Sequence, residues 1–219
     1  MTGRSITLTP DLNDYLVANG SRPDEVVTDL IAETHAALPA NATMQIAPDQ
    51  ARFMTLLTKI VGVRNAVEVG TFTGLSALAI ARGLAPGGRL VCCDVSEEWT
   101  AIARRYWRRA GVDDRIELRI GPAAGTLAAL PAEPYLDLSF IDADKTGYAT
   151  YWAEIVPRTR SGGVILVDNV LQSGRVIDPA ATDPQTRAIR DFNARVVADE
   201  RVELVMLPIA DGLTLARKR

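Results

Sequence analysis

Short apolar runs alternate with amphipathic segments through the middle of the chain. Five runs predict β-strands: NAVEVG (65–70), GRLVCCD (88–94), RIELRIG (115–121), LDLSFID (136–142) and GGVILVD (162–168). Segments with apolar residues at helical spacing, such as EEWTAIARRYWRRAG, follow several of them. Strands that alternate with helices form parallel sheets covered on both faces, and such sheets bind ligands at the carboxyl ends of their strands. The pattern therefore predicts an α/β fold.

Both ends of the chain depart from this alternation. Residues 11–38 read as two helices, with Ser21 as a candidate N-cap of the second, and a further helix is predicted over 48–62. The tail 199–219 reads as two strands around a turn at Asp211-Gly212. A terminal hairpin of this kind adds an antiparallel edge to the sheet.

Composition excludes several classes of protein. The chain has 219 residues and a formal net charge of −3, so we expect neither a nucleic-acid partner nor an anionic membrane surface. No stretch approaches the ~18 apolar residues of a membrane span, and the first residues lack the apolar core of a signal peptide. Cys92 and Cys93 are adjacent and would point to opposite faces of a strand, so we expect a reduced, cytoplasmic protein without a disulfide.

Acidic residues stand at or near the ends of four predicted strands. They are Glu68, Asp94, Asp142 and Asp168. Because the carboxyl ends of parallel strands meet at one edge, we expect Asp142 and Asp168 to converge. Two carboxylates about 4 Å apart repel by roughly 4 kcal/mol at an effective dielectric near 20, so either one is protonated or a cation lies between them. Asn169 adds a neutral oxygen, and an all-oxygen set favours Mg²⁺, with Mn²⁺ or Ca²⁺ as alternatives. Three solvated polar residues at loop ends are the structural alternative.

The loop EVGTFTG (68–74) carries the second chemical signal. A nicotinamide site would require G-x-G-x-x-G, whereas here the spacing is Gly70-x-x-x-Gly74 and an acid precedes it. An anion is a poor guest for such a loop, and a ligand with a cationic group is a better one. Asp94 is placed to accept hydrogen bonds from ribose hydroxyls. A ribose with positive charge in place of phosphates fits S-adenosylmethionine; a glycine turn without a ligand is the alternative.

Four motifs in this order carry a family resemblance: MQIAPDQARFMTLL, AVEVGTFTGLSALAIA, FIDADK and GGVILVDNVL. Together they resemble the cation-dependent O-methyltransferases of the caffeoyl-CoA and catechol type, in particular bacterial members. The resemblance implies a Rossmann-like class I methyltransferase fold, with a mostly parallel seven-stranded sheet, a reversed C-terminal hairpin strand and helices on both faces. It also implies a homodimer, a helical cap or dimerisation segment over residues 1–40 and a methyltransferase domain over 41–219.

The resemblance assigns roles to individual residues. Those matching the cofactor site are Met44, Ile46, Glu68, Gly70, Thr71, Ser76, Asp94 and Asp142. Those matching the ligands of a divalent cation are Asp142, Asp168 and Asn169. Lys145 matches the proposed general base, and Asp142 and Asn169 complete the catalytic set; the alternative for Lys145 is a surface pair with Asp144. Ser76 is open between helix cap and cofactor ligand. Gln172 stands where relatives often carry an aromatic, and Ala124-Gly125 is smaller than usual, which affects the expected acceptor.

The predicted reaction is methyl transfer from S-adenosylmethionine to one hydroxyl of a vicinal-dihydroxy aromatic, of the catechol or caffeoyl type. A chelated divalent cation acidifies and orients that hydroxyl, and Lys145 takes its proton. The alternatives are a metal-independent small-molecule methyltransferase, a nicotinamide-dependent oxidoreductase, and a cofactor-binding protein without catalysis. His35 is expected to be an ordinary helix residue. Tyr148, Tyr151, Trp152 and Trp99 read mainly as packing residues, and Asp211 reads as a turn or acceptor-site residue.

Overall fold

A computed structural model of the chain describes residues 6–219 and contains a seven-stranded sheet. The strands are β1 (Asn65–Val69), β2 (Arg89–Asp94), β3 (Ile116–Ile120), β4 (Leu136–Ile141), β5 (Thr159–Val167), β6 (Val202–Leu207) and β7 (Leu213–Lys218). The helices are α1 (Pro10–Ala18), α2 (Glu25–Ala37), α3 (Pro48–Val61), α4 (Leu75–Gly83), α5 (Glu97–Arg109), α6 (Ala123–Ala128), α7 (Tyr148–Arg158) and α8 (Pro184–Val197). Residues 1–5 of the predicted N-terminal segment lie outside the described range.

The strand order confirms the predicted fold class. The sheet runs β3-β2-β1-β4-β5-β7-β6, and its first five members are parallel neighbours. The C-terminal hairpin inserts β7 antiparallel to β5 and leaves β6 at the edge. Gly212 turns this hairpin with a φ of 85°, a conformation that glycine adopts readily.

The side chains of the central strands point into two cores. In β5, Val164 and Leu166 join the core beneath α2 to α5, whereas Ile165 and Val167 join the core beneath α6 to α8. Every residue of β4 is buried, which explains its nearly continuous apolar sequence. The adjacent thiols Cys92 and Cys93 lie in opposite cores and are both free, as their adjacency predicted.

The start of α2 differs from the prediction. Its N-cap is Asp24, whose Oδ1 accepts a hydrogen bond from the Val27 amide at 3.0 Å, so Ser21 as the cap is wrong. Asp24 also forms an ion pair of 2.7 Å with Arg82 of α4. A tertiary contact therefore adds to the local preference of aspartate for the cap position.

A hydrogen bond and two ion pairs connect helix α2 to α5. Glu33 accepts a hydrogen bond of 2.8 Å from the Tyr106 hydroxyl and pairs with Arg105, and Asp29 pairs with Arg109 at 2.7 Å. The arginine-rich face of α5 is thus exposed but partly paired. Helix α1 has no buried residue. Within residues 6–219, no helix has both the length and the apolar character needed to cross a bilayer.

Candidate active site

A cavity of about 1240 Å³ opens at the carboxyl edge of the sheet. Its walls come from the ends of β1, β2, β4 and β5 and from the segments 43–47, 183–185 and 210–211. The predicted site residues that line it are Met44, Ile46, Gly70, Thr71, Ser76, Asp94, Asp142, Lys145, Asp168 and Asn169. Glu68 is the exception, since it is fully buried and does not line the cavity.

Backbone hydrogen bonds extend the parallel ladder one residue beyond β4 and β5. The Asp142 amide donates to the Val69 carbonyl at 2.8 Å, and the Asp168 amide donates to the Ile141 carbonyl at 3.0 Å. The two acids therefore follow neighbouring strands at the same level, as predicted. Their placement depends on the register of the sheet and not on a loop.

Gly70 lets the first loop pass close to β4. Its φ is 91°, and a Cβ added at this position would lie 2.0 Å from the Asp142 carbonyl oxygen. No other residue fits here without moving the backbone that carries Asp142. The requirement for glycine at position 70 is thus steric as well as conformational.

Asp94 holds the glycine loop in place. Its Oδ2 accepts hydrogen bonds from the amides of Thr71 at 2.9 Å and Phe72 at 2.8 Å, and its Oδ1 accepts one from Ser96 at 2.8 Å. A carboxylate offers about four acceptor positions, so three backbone amides leave room for a further donor. The role of Asp94 in binding a ribose stays a prediction.

Glu68 lies buried beneath the glycine loop. Neither of its carboxylate oxygens has a hydrogen-bond partner of good geometry among the described residues, although Ser76, Cys92 and Thr71 lie near it. Burial raises the pKa of Glu68 to about 7, and these three neighbours offset only part of that effect. Ser76 and Thr71 line the cavity, so Glu68 is separated from it by residues of the glycine loop and of α4.

Asp142, Asp168 and the adjacent Asn169 form an acid cluster, and Lys145 links Asp142 to Asn169 within it. Its Nζ lies 3.1 Å from Oδ1 of Asp142, 2.6 Å from Oδ1 of Asn169 and 2.7 Å from the Tyr148 hydroxyl. Three acceptors match the three N–H groups of an ammonium. Lys145 is therefore paired inside the site, and the surface pair with Asp144 is not the arrangement present.

Asp168 is held from two sides. It is 2% exposed, and its Oδ2 accepts a hydrogen bond of 2.6 Å from Nε2 of Gln50, a fully buried residue of α3. Its Oδ1 accepts from the Asn169 amide at 2.7 Å. Burial, and then the charge of Asp142, raise the pKa of Asp168 to about 7.

Burial also raises the pKa of Asp142, although the Lys145 ammonium opposes it. Two neighbouring buried acids with raised pKa values favour an added cation, because it would stabilise both in their charged form. The donor set is two carboxylates and the Asn169 amide oxygen, which suits a hard cation. Among residues 6–219, no group of three or more His, Cys, Asp or Glu side chains gathers to hold a metal ion.

Three further acids line the cavity, and two of them, Asp144 and Asp211, hold neighbouring segments in place. Asp144 is exposed and accepts a hydrogen bond from the Tyr151 hydroxyl, so it supports the loop that carries Lys145. Asp211 accepts from the Ser173 amide and lines the cavity beside the hairpin turn. Both readings of Asp211, turn residue and wall of the site, therefore apply.

The other residues named in the sequence analysis lie either at the cavity or on the surface. Trp99 lines the cavity with its ring edge-on to Phe72, at a centroid distance of 5.2 Å. Ala124 also lines it, and the Gln172 amide nitrogen lies 3.3 Å from the Asn169 carbonyl oxygen. His35 is exposed on α2, away from the cavity, as expected of an ordinary helix residue.

Sequence reasoning missed several residues that the structure brings to the site. Gln45 lies in the segment before α3 and Gln50 lies within α3, and Asp183 and Gln185 lie at the start of α8. Tyr148 is fully buried in the core beneath α6 to α8, which confirms the predicted packing role, and in addition its hydroxyl contacts Lys145 and donates to the Asp168 carbonyl at 3.1 Å. A polar residue on the buried face of an amphipathic helix was the available signal for Gln50.

The sheet order, the reversed β7 and the glycine loop define a Rossmann-like methyltransferase fold. A family model described as O-methyltransferase matches residues 18–219. A Dictyostelium discoideum protein named Probable caffeoyl-CoA O-methyltransferase 1 is 41% identical over 209 residues, which cover 94% of this chain and 90% of that protein. Caffeoyl-CoA O-methyltransferase 1 of Arabidopsis thaliana is 33% identical over 226 residues, covering 98% and 87%.

A solved structure agrees with these sequence matches. The O-methyltransferase from Bacillus cereus, in complex with SAH, is 35% identical and superposes with a TM-score of 0.86, covering 95% of this chain and 97% of that one. The chain belongs to the O-methyltransferase family. The predicted family, fold and enzyme class are confirmed, and the nicotinamide-dependent oxidoreductase alternative is removed.

Proposed function

We propose that this enzyme transfers a methyl group from S-adenosylmethionine to one hydroxyl of a vicinal-dihydroxy aromatic, with the help of a divalent cation. The observation that carries the proposal is the set Asp142, Asp168 and Asn169, contacted by Lys145, in the same cavity as the glycine loop. Methyl donor and acceptor can therefore meet in one enclosed site. Positioning two bound reactants in this way supplies about 7–11 kcal/mol when the geometry is good.

The cofactor proposal is supported by the chemistry of the loop. Glu68 is a buried acid beneath a loop in which the amides of Thr71 and Phe72 are already bound to Asp94. A cationic ligand suits this environment, and S-adenosylmethionine carries both an ammonium and a sulfonium. The related Bacillus cereus enzyme was solved with SAH. We assign the cofactor to Met44, Ile46, Glu68, Gly70, Thr71, Ser76, Asp94 and Asp142, as the resemblance implies.

The residues present fit a divalent cation of the Mg²⁺ type, with Mn²⁺ or Ca²⁺ as alternatives. Asp142, Asp168 and Asn169 would hold it, since they offer only oxygen atoms and two of them are acids whose pKa values are raised by burial. When bound, such a cation would acidify and orient an acceptor hydroxyl. Gln50 occupies one oxygen of Asp168 and thereby fixes the direction of the carboxylate.

Lys145 is the proposed general base. Its Nζ is held by Asp142, Asn169 and Tyr148, so its position is set by three contacts and not by a flexible side chain alone. A neutral amine at this place would accept the proton of an acceptor hydroxyl. The Tyr148 hydroxyl, fixed to the Asp168 carbonyl, keeps the amine in the mouth of the site.

The acceptor is proposed to be a phenolic small molecule of the catechol or caffeoyl type. Two curated relatives bear the name caffeoyl-CoA O-methyltransferase. The cavity walls beyond the acid cluster, formed by Asp183, Gln185 and Asp211, leave a polar rim for the part of the acceptor distant from its hydroxyls. We expect Gln172 to alter acceptor preference relative to members that carry an aromatic there.

We also propose that the enzyme acts as a homodimer in the cytoplasm, with residues 1–40 as its cap or dimerisation segment. Helix α1 carries exposed apolar side chains and buries none of its residues within the chain, which is typical of a helix that packs on a partner. The two free cysteines agree with a reducing compartment. Light scattering of the full chain and of a Tyr15→Glu variant tests the dimer; a monomeric wild type would contradict it.

Catalysis with and without the cation tests the proposed function. Purified enzyme stripped with EDTA is assayed with S-adenosylmethionine and a panel of catechols, caffeoyl esters and flavonoids, before and after Mg²⁺ is restored. We expect vicinal diols to be methylated only when Mg²⁺ is present. The matching monohydroxy compounds should not be methylated under either condition. Undiminished turnover in EDTA would favour the metal-independent methyltransferase instead.

A further inference from the structure

Three segments, two of which line the cavity, meet at one polar junction. Nε2 of Gln45 lies 3.0 Å from the Thr34 hydroxyl and 2.9 Å from the Thr73 hydroxyl, and these two hydroxyls lie 2.9 Å apart. Thr34 belongs to α2, Gln45 to the segment before α3, and Thr73 to the glycine loop. Both threonines are fully buried. The junction is thus separate from the acid cluster but touches the same cavity through Gln45 and Thr73.

The donors and acceptors of this junction match one another. The Thr34 hydroxyl has one hydrogen and two acceptors within reach, the Leu30 carbonyl at 2.8 Å and the Thr73 hydroxyl at 2.9 Å. Nε2 of Gln45 donates to both hydroxyl oxygens. The arrangement requires a hydrogen-bond donor at the end of the side chain at position 45. Methionine and an ionised glutamate are close in size to glutamine but offer no such donor.

Gln45 is also the long-range polar anchor of its segment. Within residues 41–47, the other hydrogen bonds of the described structure are local ones, such as the Met44 amide to the Asn41 carbonyl at 2.8 Å and the Gln45 amide to the Ala42 carbonyl at 3.1 Å. Only the Gln45 side chain, among the hydrogen bonds of this segment, reaches residues more than ten positions away in the chain. Its neighbours Met44 and Ile46 line the cavity, so the anchor sets where both side chains lie.

The far side of the junction is rigid. Asp94 fixes the loop amides just before Thr73, and Nε1 of Trp107 donates to the carbonyl of Gly74, just after it, at 3.1 Å. Thr73 therefore lies between residues whose positions are fixed by hydrogen bonds. The segment 42–47, which contacts Thr73 through Gln45, is thus positioned relative to the glycine loop.

We infer that Gln45, with Thr34 and Thr73, is a positioning device that holds the segment 42–47 closed over the bound cofactor and thereby sets how tightly and how long the cofactor is retained. This inference rests on the proposed use of S-adenosylmethionine. Loss of the amide would lower the fraction of molecules in which Met44 and Ile46 cover the ligand, and apparent affinity falls with that fraction. The chemistry at Lys145 should be affected much less, because Lys145 makes no contact with the junction.

The variants Gln45→Met, Thr34→Val and Thr73→Val test this inference, with S-adenosylhomocysteine as the probe. We expect each to weaken its binding in calorimetry by about five- to twentyfold, mainly through faster dissociation in stopped-flow measurements. Thr73→Ser keeps the hydroxyl and should retain wild-type affinity. Thr28→Val, an exposed threonine of α2 that bonds only within its own helix, is the matched control and should bind normally.

Coupling between the variants separates a junction from independent sites. The double variant Gln45→Met/Thr34→Val should bind S-adenosylhomocysteine with nearly the same affinity as the single variant that binds it less tightly. The contacts that the two residues share are already lost in that single variant. Losses that multiply would overturn the inference. So would variants with a lower melting temperature but normal affinity, since they would assign the junction to folding alone. A wild-type chain that fails to bind S-adenosylhomocysteine would instead overturn the proposed function and this inference together.

Discussion

The side-chain amide of Gln50 donates to Oδ2 of Asp168 at 2.6 Å, between positions 118 residues apart in the chain. Both residues are buried, and the contact joins α3 to the end of β5. Because the other carboxylate oxygen accepts from the Asn169 amide, Asp168 has one fixed orientation. A helix outside the sheet thus helps to set the geometry of the candidate cation site.

Replacing Gln50 should loosen that geometry. In Gln50→Leu the carboxylate of Asp168 loses one of its two donors, and the loss of an outer partner typically costs about 10- to 100-fold in metal affinity. We therefore expect the affinity for Mn²⁺ or Mg²⁺, measured by calorimetry, to fall by about that factor, while the variant keeps the folded structure of the wild type. Lys59→Leu, at an exposed position of the same helix, is the control. Equal metal affinity in wild type and Gln50→Leu would contradict the role given to this contact.

Removing Lys145 should slow the reaction without loosening the cofactor. General-base catalysis contributes about 10²- to 10⁴-fold, so Lys145→Ala is expected to lose kcat in that range while S-adenosylhomocysteine binds as before. Lys59→Ala removes an exposed lysine and should leave both quantities unchanged. Steady-state kinetics combined with calorimetry make the distinction. If kcat of Lys145→Ala matched the wild type, Lys145 would lose the assignment as base.

Much of the fold was predictable because its signals are local. The strands are apolar runs ending in glycine or an acid, and parallel strands bring their carboxyl ends to one edge, so Asp142 and Asp168 could be placed together before the structure was known. The N-cap of α2 was not predictable, since Ser21 and Asp24 are both good caps. The ion pair between Asp24 and Arg82 of α4 is a contact that the local sequence does not encode.

The rest of the candidate site depends on side chains that meet across long separations. Tyr148 fits the apolar face of α7, and nothing in that periodicity indicates that its hydroxyl lies between Lys145 and the Asp168 carbonyl. Gln45 and Gln50 lie in a segment matched to the family motif, yet their partners come from other elements. Buried polar residues must find partners, but the sequence does not say which ones.

Glu68 should give the folded chain a distinct dependence on pH. Its ordinary pKa of 4.5 is raised to about 7 by burial, so between these values the folded state retains a proton that the unfolded state has released. Stability therefore falls as the pH rises through this window, by up to about 3 kcal/mol from this residue. Glu68→Gln does not titrate and should lack that part of the decline.

Urea unfolding at pH 5 and pH 8, without cofactor, measures the effect. Asp168 titrates in wild type and variant alike, so the difference between the two chains isolates Glu68. We expect the wild type to lose more stability than Glu68→Gln between the two pH values. Parallel changes in both chains would show that Glu68 is ionised at a lower pH than its burial indicates.

Gly70→Ala should disturb the site through the backbone. The added Cβ would lie 2.0 Å from the Asp142 carbonyl oxygen, and φ at this position is 91°. Either the loop or the end of β4 must move, so we expect loss of S-adenosylhomocysteine binding and destabilisation by more than the ~1–2 kcal/mol of a positive φ alone. Gly62→Ala is the matched control, because its φ is 69° and nothing lies within 4 Å of an added Cβ.

The comparison of the two glycine variants separates conformational strain from the clash with Asp142. Gly62→Ala should lose about 1 kcal/mol in urea unfolding and bind S-adenosylhomocysteine normally, since Gly62 ends α3 away from the cavity. If Gly70→Ala behaved like Gly62→Ala in both measurements, the close approach of the loop to β4 would have no part in shaping the site. If it loses binding while retaining a cooperative unfolding transition, the register of β1 against β4 is what places the glycine loop beside the acids.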